Sequence, residues 1–187
     1  IYSYVKVENE TWIIANERLE ELMNIFHIEN FEILKEVKGE SLDGKKYIHP
    51  LAEKYIPELH ELSKHEGVHT IVAEDFVDLT TGTGLVHISP ANGEIDFDIG
   101  KKRGLPLFNP IDDQASFDQK SGKFNGLFVR EANDLVYDLL KDENSLVKLG
   151  RLKHEYPLCW RSGHRLLWVA RRAVTNTHQT LTKSELV

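Results

Sequence analysis

The sequence predicts an α+β fold: a β-rich domain forming a partly closed β-barrel with peripheral helices. Three observations lead there. Short β-prone runs outnumber helical stripes, their order is irregular rather than alternating, and no internal repeat interrupts the 187 residues. Apolar residues at 41% and charged residues at 28% are ordinary for a globular domain, and the length suffices for a real core.

The elements follow in order. Tyr4–Val7 and Thr11–Ala15 are β-prone, and Glu8-Asn9-Glu10 between them predicts a hairpin. Leu19, Leu22, Met23 and Phe26 then fall at i, i+3, i+4 and i+7, one apolar stripe of a helix, with Asn16 as its N-cap and Glu17 near the positive end of its dipole. Phe31 to Val37 alternates like a strand. Residues 39–69 carry more Gly, Pro, His and charge, and predict a long connection with a short helix or two. Thr70–Ala73, Phe76-Val77 and Leu85–Ser89 are expected as strands. Ile95 to Arg103 predicts a helix ending near Gly104. Lys120-Ser121-Gly122-Lys123 predicts a second hairpin. Ala132, Leu135, Val136, Leu139 and Leu140 form the apolar face of a last helix.

Composition narrows the function. The net charge is −7, which argues against a chain-wide electrostatic grip on nucleic acid. Residues 151–172 nevertheless hold six cations against the single acid Glu155, a local +5 that leaves −12 elsewhere. That segment suits a phosphate-facing patch, a solvated face, or a face docked on another domain. Cys159 is the lone cysteine, so the chain can form no internal disulfide and no cysteine-based zinc site; this suits the cytoplasm. No apolar run reaches membrane-spanning length, and no membrane partner is expected. The chain opens at Ile1 in mid-pattern and reads as a piece of a longer protein.

The run from Thr80 to Phe97 carries the chemistry. Gly82 and Gly84 flank Thr83, whose hydroxyl is available to a ligand. His87 shares a face with Leu85 and Ser89 by period-two alternation. Pro90 ends the run, Gly93 allows a tight turn, and Asp96 falls in the first turn of the following helix. Such a loop can bring Thr83, His87 and Asp96 to one pocket. The same residues also have plainer explanations: a half-buried histidine, a first-turn acid that favours the helix dipole, and glycines that reverse the chain. The run lacks the Gly-Lys-Ser/Thr ending of a phosphate loop, and the chain has no His-Glu-x-x-His motif; no metal site is expected.

The stretch Gly82–Phe97, read G-T-G-L-V-H-I-S-P-A-N-G-E-I-D-F, resembles the signature of class I aminoacyl-tRNA synthetase editing domains of the isoleucyl, valyl and leucyl group. His87 favours the isoleucyl member. Arg103–Leu107, Gly126–Asn133 and Tyr156–Ser162 are similar to isoleucyl-enzyme segments in the same order. The resemblance spans residues 1–172, an editing domain lacking its upstream threonine-rich strand; residues 173–187 form a tail of uncertain origin, expected to be flexible.

The resemblance implies a double sieve. The synthetic site admits valine, because one methylene in an apolar pocket is worth only about 1–3 kcal/mol, a figure established on this enzyme family. A second site then hydrolyses valyl-tRNA(Ile), and by extension the activated valine before transfer. Asp96 would grip the substrate's α-ammonium, and His87 would line the pocket and exclude the larger side chain; these two are the catalytic candidates. Thr83 would offer its hydroxyl, and Tyr156 a wall or hydroxyl near the terminal ribose, so that Thr83, Tyr156, Asp96 and His87 bind substrate. No nucleophile is apparent, so a positioned water would attack directly, helped by the ribose hydroxyl.

Editing so implied needs no cofactor, ATP being used only by the synthetic domain. The partners would be the acceptor end of tRNA(Ile) and the catalytic domain of the same synthetase. Asn92 departs from the family, which often has an aromatic residue or His there. The competing readings are a non-catalytic tRNA-binding or docking module, suggested by the +5 segment, and a purely structural insertion.

Overall fold

The computed structural model describes residues 1–150 and 155–171. It begins with the expected hairpin. Strand β1 (Tyr2–Val7) pairs antiparallel with β2 (Glu10–Ala15), and Glu8 takes the left-handed φ of 52° that closes so tight a turn. Strand β3 (Glu32–Val37) joins the other edge of β1, also antiparallel, with a register shift between Tyr4 and Val5. The sheet order is β2-β1-β3.

Helix α1 (Asn16–Phe26) lies between β2 and β3 in sequence and covers one face of the sheet. Val5, Val7 and Ile14 from the strands meet Leu19, Leu22 and Met23 from α1, and Trp12 sets its ring edge-on to Phe26 at 5.8 Å. These are the alternating strand positions and the helical stripe seen in the sequence. Asn16 is not the N-cap: it is the first helical residue, after an extended Ala15. Its side chain is drawn sideways instead, accepting from the Ser3 hydroxyl at 2.6 Å and donating to Glu36 at 2.5 Å.

The opposite face of the sheet presents Tyr2 and Ala15, closed by Leu42 with Ile71 and Leu79 packed nearby. Leu42 ends a 3-10 turn, Gly39–Leu42. The long connection then yields two short helices, α2 (Ala52–Tyr55) and α3 (Pro57–Leu62). Helix α4 (Glu94–Arg103) carries Glu94 and Asp96 in its first turn and Lys101, Lys102 and Arg103 in its last, both favourable to its dipole. The Leu105 amide returning to the Gly100 carbonyl at 2.8 Å closes its C-terminus. Helix α5 (Ala132–Asp142) packs Ala132 and Leu139 against Leu51 and Phe124 in a separate core.

Three expectations are corrected. Among the described residues the sheet has three strands and stays open, so no barrel closes and strands do not predominate over helices. Segments 70–73, 76–77 and 85–89 are not strands. Thr70 makes only an isolated bridge to Lys46, and a ladder needs neighbours that these segments lack. Residues 120–123 lie in a 3-10 segment, Gln119–Phe124, started by the Asp118 side chain accepting from the Lys120 amide. The tail at 173–187 and part of the basic segment lie outside the described residues. No helix among those described is long and apolar enough to cross a membrane.

Met23 is 2% exposed at the centre of the sheet–helix core, whereas Ile48 is 89% exposed. Met23→Ala should cost about 2–5 kcal/mol in urea unfolding. Ile48→Ala should stay within about 0.5 kcal/mol of the parent.

Candidate functional site

The loop that precedes α4 is anchored to the sheet at its start. Asp78 folds its carboxylate over the amide and hydroxyl of Thr80, both at 2.7 Å, and sets the turn. The Arg18 guanidinium of α1 donates to the Gly82 carbonyl at 3.1 Å. The Thr83 carbonyl accepts from the Ala15 amide at 3.0 Å, and the Gly84 carbonyl accepts from the Tyr2 hydroxyl at 2.7 Å. Gly84 has φ of +75°, and a Cβ there would stand 2.3 Å from that of Ala15. Only glycine fits both demands.

The chain then runs extended, with Leu85, Val86 and His87 exposed, to a compact knot at Ser89. The Ser89 amide donates to Asp96 Oδ2 at 3.1 Å, and the Asn92 amide donates to the Ser89 carbonyl at 2.8 Å. Ser89 Oγ and Asn92 Oδ1 lie 2.9 Å apart in a further hydrogen bond. Asp96 curls back toward the loop across Gly93, where a Cβ would lie 2.7 Å from Asp96 Oδ2. Asp96 thus reaches from the first turn of α4 to fix the backbone two residues beyond His87.

An open cleft of about 1350 Å³ lies beside this loop. His87, Ser89, Asn92, Tyr47, His49 and His69 all line it. Leu42, Ile71 and Phe108 are among its apolar walls. His49 Nδ1 accepts from the Leu51 amide at 3.2 Å. Burial, then the neighbouring His69 and His87, pushes the His49 imidazole down to about 4. Burial and His87 lower His69 as well.

Of the four residues singled out in the sequence, His87 lines the cleft. Asp96 is one hydrogen bond behind its wall, through Ser89. Thr83 is not among the lining residues; its Oγ1 accepts from the Leu85 amide at 3.4 Å. Tyr156 also stands apart from the lining, under the Arg165 guanidinium at 5.5 Å. The structure therefore brings His87 and Asp96 to one loop and does not gather all four at one pocket. Sequence reading missed Tyr47, His49 and His69. They lie in stretches without periodicity, and nothing in their spacing marks them as neighbours of His87. Among the described residues no group of three or more His, Cys, Asp or Glu side chains is arranged to hold a metal ion.

Residues 155–171 hang on the same loop. The Ala170 amide donates to the Ala91 carbonyl at 2.9 Å, and the Trp168 ring lies 6.2 Å from Phe97. Leu158 and Arg165 bridge antiparallel within this segment. Trp160, 86% exposed, carries the Arg161 guanidinium over its ring at 4.9 Å.

Neutral His49 gives a pH test. The unfolded imidazole takes its proton at the ordinary 6.5, the folded one only near 4. Between these values the unfolded state binds more protons, so stability falls as the pH drops from about 6.5 to about 4. In His49→Asn, whose Oδ1 can still accept from Leu51, urea unfolding across that window should show a shallower slope.

No family model matches the chain. Individual relatives do. The chain is 44% identical over 177 residues to an isoleucine–tRNA ligase of Methanocaldococcus jannaschii, covering 90% of this chain and 17% of that protein. It is 40% identical over 166 residues to the isoleucine–tRNA ligase of Pyrococcus horikoshii, covering 86% and 15%. With that of Methanococcus maripaludis it shares 44% over 178 residues, covering 90% and 17%. The chain spans about one-sixth of the length of these relatives. Taken with the ordered motifs, these matches make the chain a segment of the isoleucyl-tRNA synthetase family.

Proposed function

We propose that this chain carries the editing site of an isoleucyl-tRNA synthetase and hydrolyses valine wrongly esterified to tRNA(Ile), and activated valine before transfer. The observation that carries the reading is the Asp96 carboxylate, held by the Ser89 amide against the same loop that sets His87 on the cleft. Asp96 is ionisable, sits in the positive field of a helix N-terminus, and has no other hydrogen bond among the described residues. It therefore keeps acceptor capacity for an α-ammonium.

In this reading His87 stands where the substrate side chain would end and limits its size. Water attacks the ester carbonyl. The new C–O bond to water forms, the bond to the ribose oxygen breaks, and a proton passes to that oxygen. The neighbouring ribose hydroxyl assists that transfer. The chain's own residues bind, orient and exclude; no covalent intermediate on the protein is invoked. Thr83 acts through its backbone in fixing the loop rather than by touching substrate. Tyr156 belongs to the tRNA-facing side.

Asp96→Asn tests this, because the amide oxygen can still accept from Ser89 while the charge is lost. In a full-length synthetase carrying this segment, deacylation of valyl-tRNA(Ile) should fall by about a hundredfold or more, with the unfolding midpoint unchanged. A fully active variant would refute the ammonium role.

A second reading, a tRNA-contacting surface without chemistry, is favoured by the paired aromatics and arginines, Trp160 with Arg161 and Tyr156 with Arg165. Reversing both arginines to Glu should weaken tRNA binding and flatten its salt dependence by about two phosphate contacts. If affinity is unmoved, this surface does not meet tRNA.

A further inference from the structure

The first turn of α4 is held from outside the helix. Its N-cap, Gly93, has no side chain to satisfy the free amides that open a helix. The core gives this turn little. Ile95 is 55% exposed, and the buried residues of α4, Ile99 and Gly100, lie a turn later. A helix end so placed frays unless another segment binds it. Yet this turn carries Asp96, whose carboxylate must stay on the Ser89 amide.

The segment that binds it is 168–171. Residues 157–166 fold into a small hairpin. The Cys159 amide donates to the His164 carbonyl at 2.7 Å, the Leu166 amide donates to the Pro157 carbonyl at 3.0 Å, and Gly163 turns the chain at a φ of +69°. The chain leaving that hairpin runs onto the loop and the helix. The Trp168 ring meets Phe97, the residue after Asp96, at 6.2 Å and 52°, within the range where aromatic rings attract. The Trp168 carbonyl accepts from Asn92 Nδ2 at 3.5 Å, and Asn92 Oδ1 is bonded to the Ser89 hydroxyl. The Ala170 amide donates to the Ala91 carbonyl at 2.9 Å, and Arg171 pairs with Asp113 beyond it.

We infer that Trp168 is a positioning residue for Asp96: its ring and its carbonyl hold the turn that carries the carboxylate against the Ser89 knot. The inference rests on the editing reading for the activity that this serves. Trp168 does not line the cleft, so it acts through Phe97 and Asn92 and not on a substrate. Without it the first turn of α4 is free to fray, and the carboxylate samples several positions instead of one. A binding group displaced by an ångström costs turnover, while most contacts with a large substrate are kept.

Amide hydrogen exchange in this chain reads the contact directly. Trp168 belongs to none of the three cores and is 41% exposed, so its truncation leaves the fold standing. In Trp168→Ala the Ser89 amide should exchange about tenfold faster, and Trp168→Phe should restore its protection. The Ala15 amide, bonded to Thr83 at the other end of the loop, should not change. Arg171→Ala, at the exposed end of the segment, should accelerate Ser89 in the same direction but less; it decides the matter if Trp168→Ala lowers the unfolding midpoint. Unchanged Ser89 exchange overturns the inference, as does equal acceleration at Ala15. In a full-length synthetase carrying this segment, Trp168→Ala should lower kcat for valyl-tRNA(Ile) deacylation about tenfold with KM nearly unchanged, and Trp168→Phe should recover it. A raised KM with unchanged kcat overturns the positioning role and makes Trp168 a tRNA contact. A parent enzyme that does not deacylate valyl-tRNA(Ile) sinks the editing reading, and the exchange result still decides whether Trp168 holds the turn of Asp96.

Discussion

The join at Gly84 constrains the rest of the site. Here the backbone of a loop lies directly on the end of a β-hairpin, with no side chain between. The Tyr2 hydroxyl and the Ala15 amide, from adjacent strands, seize the carbonyls of Gly84 and Thr83. Tyr2 and Ala15 are themselves opposite one another in the hairpin register. Their positions are therefore fixed by the sheet, and the sheet is fixed by the core it shares with α1. Rigidity passes from that core through two hydrogen bonds into the chain that leads to His87. A bulkier residue at 84 would lift the loop off the hairpin and move His87 with it.

At its other end the same loop is held by α4. Asp96 bonds Ser89, and α4 is in turn tied down by Lys102 and Arg103 to Glu74, and by Arg103 to Asp43. These exposed ion pairs are individually weak. Their effect is geometric, because they connect α4 to Asp43 and to Glu74, and Glu74 itself lines the cleft. His87 thus lies on a span fastened at both ends, to the sheet at residue 84 and to a helix at residue 89. Under the proposed editing reading, where one methylene decides, fixed walls matter more than attractive ones.

What was legible in the sequence follows the range of the forces involved. The stripes of α1 and α5, the Gly104 stop of α4 and the first hairpin are local patterns, and the structure contains each of them. Leu85–Ser89 alternates as a strand does, but alternation describes an extended chain with one wetter face. Whether a ladder forms depends on a partner elsewhere, and here the extended chain borders a cleft instead. The turn residues at 120–123 predict a hairpin, and the structure has a 3-10 segment there instead, started by the Asp118 side chain accepting from the Lys120 amide, because no strand flanks them to pair. His87 and Asp96 were legible because a dense motif holds them nine residues apart. Tyr47, His49 and His69 were not, because they meet only after a connection of no clear period has folded back through the Lys46–Thr70 bridge.

The two functional readings make different demands on this geometry. A surface that only binds tRNA needs charge and exposed rings, which residues 156–165 supply at the periphery. It has no use for a carboxylate folded behind a loop, or for a histidine held on a strained backbone inside a cleft. Those features cost conformational freedom and backbone strain, and they are compensated only if something small is held in one orientation. His87, His49 and His69 line the same cleft as electrostatic neighbours, so the histidine on the loop and those from the long connection form one wall group.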